Sequence, residues 1–171
     1  MEVLMRTGLF GFGVLVFMVF FLLSPLVADH VNVPASAFKS GSSSFDALWN
    51  PLGGDYVYLG GTGSSTLCAP VFLPDGVMIK NMRVVYYDND SGDDLHVELH
   101  RQNVFVPGTT LVVFEFSSSG ATNAVQYAVD STTPVPAKRK VQNGPVTWFI
   151  KAHFGDAGPS LRLYSVQIEY Q

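Results

Sequence analysis

From residue 55 to the C-terminus, no stretch of this chain carries the 3.6-residue apolar period of an amphipathic helix. β-Branched and aromatic residues dominate instead, cut into short runs by Gly, Pro, Asn and Asp. The runs cover 55–60, 66–73, 77–87, 95–103, 110–118, 123–130, 146–154 and 161–170. Between them lie Pro74-Asp75-Gly76, the acidic stretch 88–94, Pro107-Gly108 and Asn143-Gly144-Pro145. Because a strand turns alternate side chains to opposite faces, Leu95, Val97 and Leu99 belong on one face and His96, Glu98 and His100 on the other. By the same rule Val112, Phe114 and Phe116 share a face, as do Tyr164, Val166, Ile168 and Tyr170. About eight short strands at this spacing predict an all-β domain over 54–171, an antiparallel β-sandwich or jelly-roll-like fold without internal repeats.

The other end has a different character. Residues 8–28 read GLFGFGVLVFMVFFLLSPLVA, an uninterrupted apolar run after Arg6. A bilayer needs about 20 such residues in a helix, so 1–28 is either an export signal or a membrane anchor. The short positive leader Met5-Arg6-Thr7, the break at Ser24-Pro25 and the small residues before Asp29 favour cleavage, and Ala35-Ser36-Ala37 is a second possible cleavage motif. The expectation is a secreted, extracellular or cell-surface protein, with a single N-terminal transmembrane helix as the alternative. Contact with a membrane would then come only through residues 8–28.

Removing 28 of the 171 residues leaves 143, enough to bury roughly two-thirds of the unfolded surface without disulfides. With 10 Lys and Arg against 14 Asp and Glu, the chain is no bulk-charge nucleic-acid binder. Its single cysteine, Cys68, excludes a disulfide framework and any multi-cysteine metal site, and its apolar strand points to a core position. Between the leader and the sandwich, 29–53 holds Ser, Gly, Pro and Asn without a clear period, and reads as an extended arm or linker. Phe45, Leu48 and Trp49 interrupt it. They either dock on the domain or pair with a neighbouring subunit.

Two constellations could hold metal. Asp88, Asp90, Asp93 and Asp94 crowd one loop, and calcium takes six to eight hard oxygen ligands of this kind. The competing reading is a solvated hairpin loop whose Asp, Asn and Gly serve turn geometry. His96, Glu98 and His100 stand in a row on one strand face, a donor set suited to Zn²⁺, and His153 is a further candidate from another strand. Alternation by itself also places polar residues on the wet face of such a strand. Motifs for a serine nucleophile, a zinc protease or a phosphate-binding loop are absent from the sequence.

Other surface features are simpler. Lys138-Arg139-Lys140 is the only basic run and reads as a solvated loop tip, and Asn89-Asp90-Ser91 fits a glycosylation acceptor. Tyr56 with Tyr58, Tyr86 beside Tyr87, and Phe149 opposite Trp148 and Ile150 put rings on one face or the other of their strands. Rings turned to solvent could stack on sugars.

The stretch Ala69-Pro-Val-Phe-Leu-Pro-Asp-Gly-Val77, the run Val84-Val-Tyr-Tyr-Asp-Asn-Asp-Ser-Gly-Asp-Asp-Leu95 and the closing Leu161-Arg-Leu-Tyr-Ser-Val-Gln-Ile-Glu-Tyr170 resemble a diffuse group of exported bacterial proteins. These have a leader and one β-sandwich domain, and most are of unknown function. The resemblance runs from about residue 55 to the C-terminus, implies an exported sandwich and assigns no site residues. The leader, the apolar arm, the low charge and the missing catalytic motifs make the leading expectation an exported, non-catalytic structural, adhesive or filament-type subunit, whose arm could lend a strand to a neighbour's sheet edge. A glycan-binding module with a structural Ca²⁺ in the acidic loop is the alternative. A metal-dependent enzyme built on the histidine row is the third reading.

Overall fold

The structure is a computed structural model that describes residues 28–40, 46–49, 55–60, 63–106, 108–130, 136–156 and 158–171. The leader (8–27) and Phe45 lie outside the described residues. Among the described residues no helix is long and apolar enough to cross a membrane.

The chain is an antiparallel β-sandwich. Its strands are β1 (Asp29–Pro34), β2 (Lys39–Ser40), β3 (Asp46–Trp49), β4 (Val57–Gly60), β5 (Ser65–Val71), β6 (Ile79–Asp88), β7 (Leu95–Asn103), β8 (Thr110–Ser117), β9 (Thr122–Asp130), β10 (Val146–Phe154) and β11 (Leu161–Tyr170). One helical turn, α1 (Pro136–Arg139), precedes β10. Six strands form one sheet in the order β3-β4-β11-β6-β9, with β1 also on β11. The other sheet runs β2-β5-β10-β7-β8.

All eight expected strands are present, and the three additional ones come from 29–53. Where the sequence reads as an arm, residues 29–34, 39–40 and 46–49 are strands paired into the two sheets. Asp29–Pro34 pairs residue for residue with the C-terminal half of β11, from Asp29↔Tyr170 to Pro34↔Ser165. Val33, Ala35 and Phe38 are buried in the core. Val31, Val33, Ala35 and Ala37 alternate, but in a short run beside Pro34 and a Ser- and Gly-rich stretch; Val33, Ala35 and Phe38 lie between the sheets.

Between the sheets, Val57, Leu59, Met82, Val84, Leu163, Val166 and Ile168 face Leu67, Leu95, Val97, Leu99, Ile150 and Phe154. Two expected faces break at register shifts. On β11, Leu163 pairs with Tyr86 and Ser165 with Val85, so one residue, Tyr164, is extra. Such a bulge reverses the alternation that follows it. Tyr164 therefore lies on the outer side, while Val166, Ile168 and Tyr170 stay buried. On β8, Phe114 pairs with Leu99 and Val112 with His100, leaving Val113 extra. Val113 and Phe114 are buried and Val112 is exposed, so Val112 does not share the face of Phe114.

Most loops carry the chain from one sheet to the other. The acidic loop links β6 in one sheet to β7 in the other, so it is a corner of the sandwich and not a hairpin tip. At the opposite end, Asp75 Oδ1 accepts from the Asn143 backbone N–H at 2.8 Å. In the Pro74-Asp75-Gly76 turn next to it, Gly76 has φ +81, a left-handed conformation that glycine takes without strain.

Phe38 is fully buried although it belongs to the segment that reads as an arm. Phe38→Ala is expected to cost about 3–5 kcal/mol in urea unfolding, as for other buried phenylalanines. A cost within about 0.5 kcal/mol, the range of surface substitutions, would show that 29–40 is not part of the cooperative fold.

Candidate functional site

Alternation places Tyr56 and Tyr58 on the outer side of the six-stranded sheet, because Val57 and Leu59 between and beside them point into the core. The β11 bulge adds Tyr164, and β6 adds Tyr87, the neighbour of buried Tyr86. Tyr127 on edge strand β9 is 74% exposed. Five of the seven tyrosines thus lie on one outer face, and the other two, Tyr86 and Tyr170, are buried.

Arg162 organises this face. It is the register partner of Tyr87, and its guanidinium lies 4.5 Å from the Tyr87 ring centroid and 4.7 Å from that of Tyr56. Its Nε donates to the Pro159 carbonyl at 2.6 Å, which fixes the side chain. Tyr56 also packs against Tyr164 at 5.4 Å and Tyr58 at 6.2 Å between centroids. The Tyr87 hydroxyl donates to Asn123 Oδ1 at 2.8 Å. Arg83 lies 5.9 Å from the Tyr127 ring centroid. The result is a partly exposed surface of rings and guanidinium groups held in place by one another. Arg162 and Tyr164 were not singled out as site residues in the sequence. Counted from Leu161 and Leu163, alternation puts both Arg162 and Tyr164 on the outer side; counted back from Val166 and Ile168 it puts both inside. The bulge between Leu163 and Ser165 decides for the outer side.

The outer face of the five-stranded sheet is different. His96, Glu98 and His100 share it, but they do not converge as three ligands on one point. The two imidazoles instead hold opposite oxygens of Glu98, with His96 Nε2 3.3 Å from Oε1 and His100 Nε2 2.8 Å from Oε2. Burial raises the Glu98 carboxyl, and the hydrogen bonds from His100 and His96 outweigh it, so the group sits below the ordinary carboxylate range. His100 is buried against the Phe149 ring, stacked at 5.1 Å with 7° between planes. His153 is the cross-strand partner of His96, and its Nδ1 meets the Thr66 hydroxyl at 3.2 Å.

In the acidic loop the carboxylates serve the corner itself. Asp88 is fully buried at the end of β6 and accepts from the Asp90 backbone N–H at 3.0 Å through Oδ1. Asp90 Oδ1 accepts from the N–H groups of Gly92 and Asp93, and its Oδ2 accepts from the Ser160 hydroxyl at 3.3 Å. Asp93 packs against Gly155, where an added Cβ would lie 2.7 Å from Asp93 Oδ1. Asp94 is exposed, and its carbonyl accepts from the Gly155 N–H. Among the described residues these four do not form a group of three close ligand atoms. The one such group is His96, Glu98 and Glu115.

Cys68 is half-buried on the outer face of β5, opposite Lys151, and not in the core; Leu67 and Ala69 take the inward positions. Burial pushes its thiol up against the opposing pull of Lys151, which leaves it a poor nucleophile. The basic run is tied down and not a free tip. Arg101 donates to the carbonyls of Ala137 and Lys138, and Lys140 bridges to Met78. Leu48 on β3 is exposed, and its strand pairs with β4 of the same chain. Trp49 pairs with Val57 in that ladder.

The Asp90 carboxyl is held low, first by the Gly92 N–H, with burial opposing and with the Asp93 N–H and Ser160 hydroxyl adding to the effect. A depressed carboxylate contributes stability above its unfolded pKa and loses it as pH falls through the folded value. Wild type is therefore expected to exceed Asp90→Asn in stability by a constant margin at pH 6–7. The margin should close below about pH 4, the ordinary aspartate range. Urea unfolding across pH measures this, and a margin that does not change with pH would contradict it.

No family model matches the chain, and no curated protein matches it. Among solved structures it is similar to the xylan-binding domain CBM22-2 of Xyn10C from Paenibacillus barcinonensis, at 6% identity and a TM-score of 0.49, over 81% of this chain and 97% of that one. It is also similar to the CBM36-1 domain of a multidomain xylanase from the hindgut metagenome of Trinervitermes trinervoides (14% identity, TM-score 0.46, 82% and 96% covered). A third is the C-terminal CBM6 of LamC, a marine laminarinase from Zobellia galactanivorans (11% identity, TM-score 0.46, 82% and 98% covered). At these values no ligand or activity transfers to this chain.

Proposed function

We propose that this protein is an exported, non-catalytic carbohydrate-binding module whose ligand lies across the outer face of the six-stranded sheet. The observation that carries the reading is the Arg162 guanidinium held between the Tyr56 and Tyr87 rings, with Tyr164 and Tyr58 alongside. A sugar ring offers C–H groups to an aromatic face and hydroxyls to its rim. Tyrosine and arginine supply both kinds of contact on one face of the sheet. Side chains already packed on one another lose little further freedom on binding. The apolar run 8–28 would deliver the domain out of the cell.

We favour glycan binding over the role of a structural subunit. Strands β1, β2 and β3 each pair with a strand of their own chain, so much of the segment suited to donation is already committed. The exported group that the sequence resembles is compatible with either role.

The test is titration calorimetry and affinity electrophoresis of the full chain on a panel of xylans, β-glucans and galactans. Tyr56→Ala and Tyr87→Ala are each expected to weaken binding about tenfold, equivalent to about 1.4 kcal/mol. Phe149→Ala, on the other sheet, should leave affinity unchanged. A silent panel would contradict the proposal, as would binding that ignores both tyrosines.

A further inference from the structure

The outer face of the five-stranded sheet holds a second arrangement that carbohydrate binding does not use. Glu98 on β7 and Glu115 on edge strand β8 are direct cross-strand partners. Two carboxylates placed opposite each other destabilise a sheet unless a cation lies between them. Lys151, the partner of Glu98 on β10, does not fill that place; its ammonium lies over the Phe149 ring, 5.8 Å from the centroid. One ligand atom each from His96, Glu98 and Glu115 lies within 4.8 Å of the others.

Both inner ligands have the supporting contacts that a metal site needs. His96 Nδ1 meets the Ser117 hydroxyl at 2.6 Å, so when an ion displaces the Nε2 proton that faces Glu98, the hydroxyl can accept from Nδ1–H and hold the ring with its Nε2 lone pair on the ion. Glu98 Oε2 is held by His100 Nε2, leaving Oε1 toward His96. The 3.3 Å between His96 Nε2 and Glu98 Oε1 matches the ligand–ligand edge of about 3.3–3.4 Å implied by tetrahedral zinc bonds of roughly 2.0–2.1 Å. His100, which the sequence pattern offers as a ligand, is in this geometry the group that orients one. Glu115, seventeen positions from Glu98 in sequence (115 minus 98), takes its place.

We infer that His96, Glu98 and Glu115 form a binding site for a zinc-class divalent ion, one nitrogen and two oxygen donors pinning edge strand β8 to β7. A nitrogen ligand and only three side chains select a borderline first-row ion over calcium. The ion neutralises the opposed carboxylates and leaves a position open to solvent.

Calorimetry of chelator-stripped full-length protein with zinc chloride tests this, with a thermal melt of each sample. One Zn²⁺ per chain and a rise in Tm with zinc are expected. His96→Ala and Glu115→Gln should each weaken zinc at least tenfold. Ser117→Ala keeps every ligand and should still weaken it about 10–100-fold, so the site can be tested even where a ligand variant folds poorly. His30→Ala, on β1, should bind as wild type, and calcium chloride should not compete. Zinc binding that is absent, that survives both ligand substitutions, or that calcium displaces would overturn the assignment.

Discussion

The hydrogen bonding of β11 on both edges is the interaction on which the rest of the structure depends. One edge runs along the full length of β6; the other is shared by β1 toward the C-terminus and by β4 near Leu163. Its inward residues Leu161, Leu163, Val166 and Ile168 are almost completely buried against the opposite sheet. Burying an aliphatic side chain of this size is worth about 1.5–3 kcal/mol each, so the last strand in the sequence is central to the core. Until β11 is in place, β1 has no strand to pair with and the β3–β4 pair has no sheet to join. The six-stranded sheet therefore depends on contacts that span almost the whole described chain.

The same strand connects fold to function. Its bulge at Tyr164 puts two residues opposite Val85, turning Tyr164 outward while keeping the later apolar residues inside. The tyrosine surface arises from that irregularity together with Arg162. Among the described residues, the opposite sheet has no comparable ring cluster on its outer side. Phe149 lies there, covered by His100, and the remaining row is polar. One sandwich thus presents two chemically distinct faces, one of rings and guanidinium groups and one of imidazoles and carboxylates.

Sequence periodicity made most of the eight main strands legible because they have one dry side and one wet side; β9, with no buried residue, was legible from its β-branched and aromatic residues between turns. Leu95, Val97 and Leu99 went to the core and His96, Glu98 and His100 to the outside as simple alternation requires. Alternation carried along a whole strand failed at Tyr164 and Val112, because a register shift in the ladder changes which parity faces the core. It was also too weak at 29–40, where the alternation of Val31, Val33 and Ala35 is short, is interrupted by Pro34 and leaves Phe38 outside it. The tyrosines were visible as residues, but their gathering on one face was not. Tyr56, Tyr87 and Tyr164 come from three strands, and only the sheet order brings them together. Glu115 was missed for the same reason, since its role depends on which residue stands across from it.

The central claim is that ligand meets the tyrosine face of the six-stranded sheet. Mapping amide and tyrosine-ring NMR shifts during titration with an oligosaccharide of the best-bound polysaccharide tests it most directly. The account predicts shifts concentrated at Tyr56, Tyr58, Tyr87, Tyr164 and the Arg162 side chain, with β5, β7 and β10 silent. Shifts centred on Phe149 and the histidine row, or on the loops at one end of the sandwich, would contradict it.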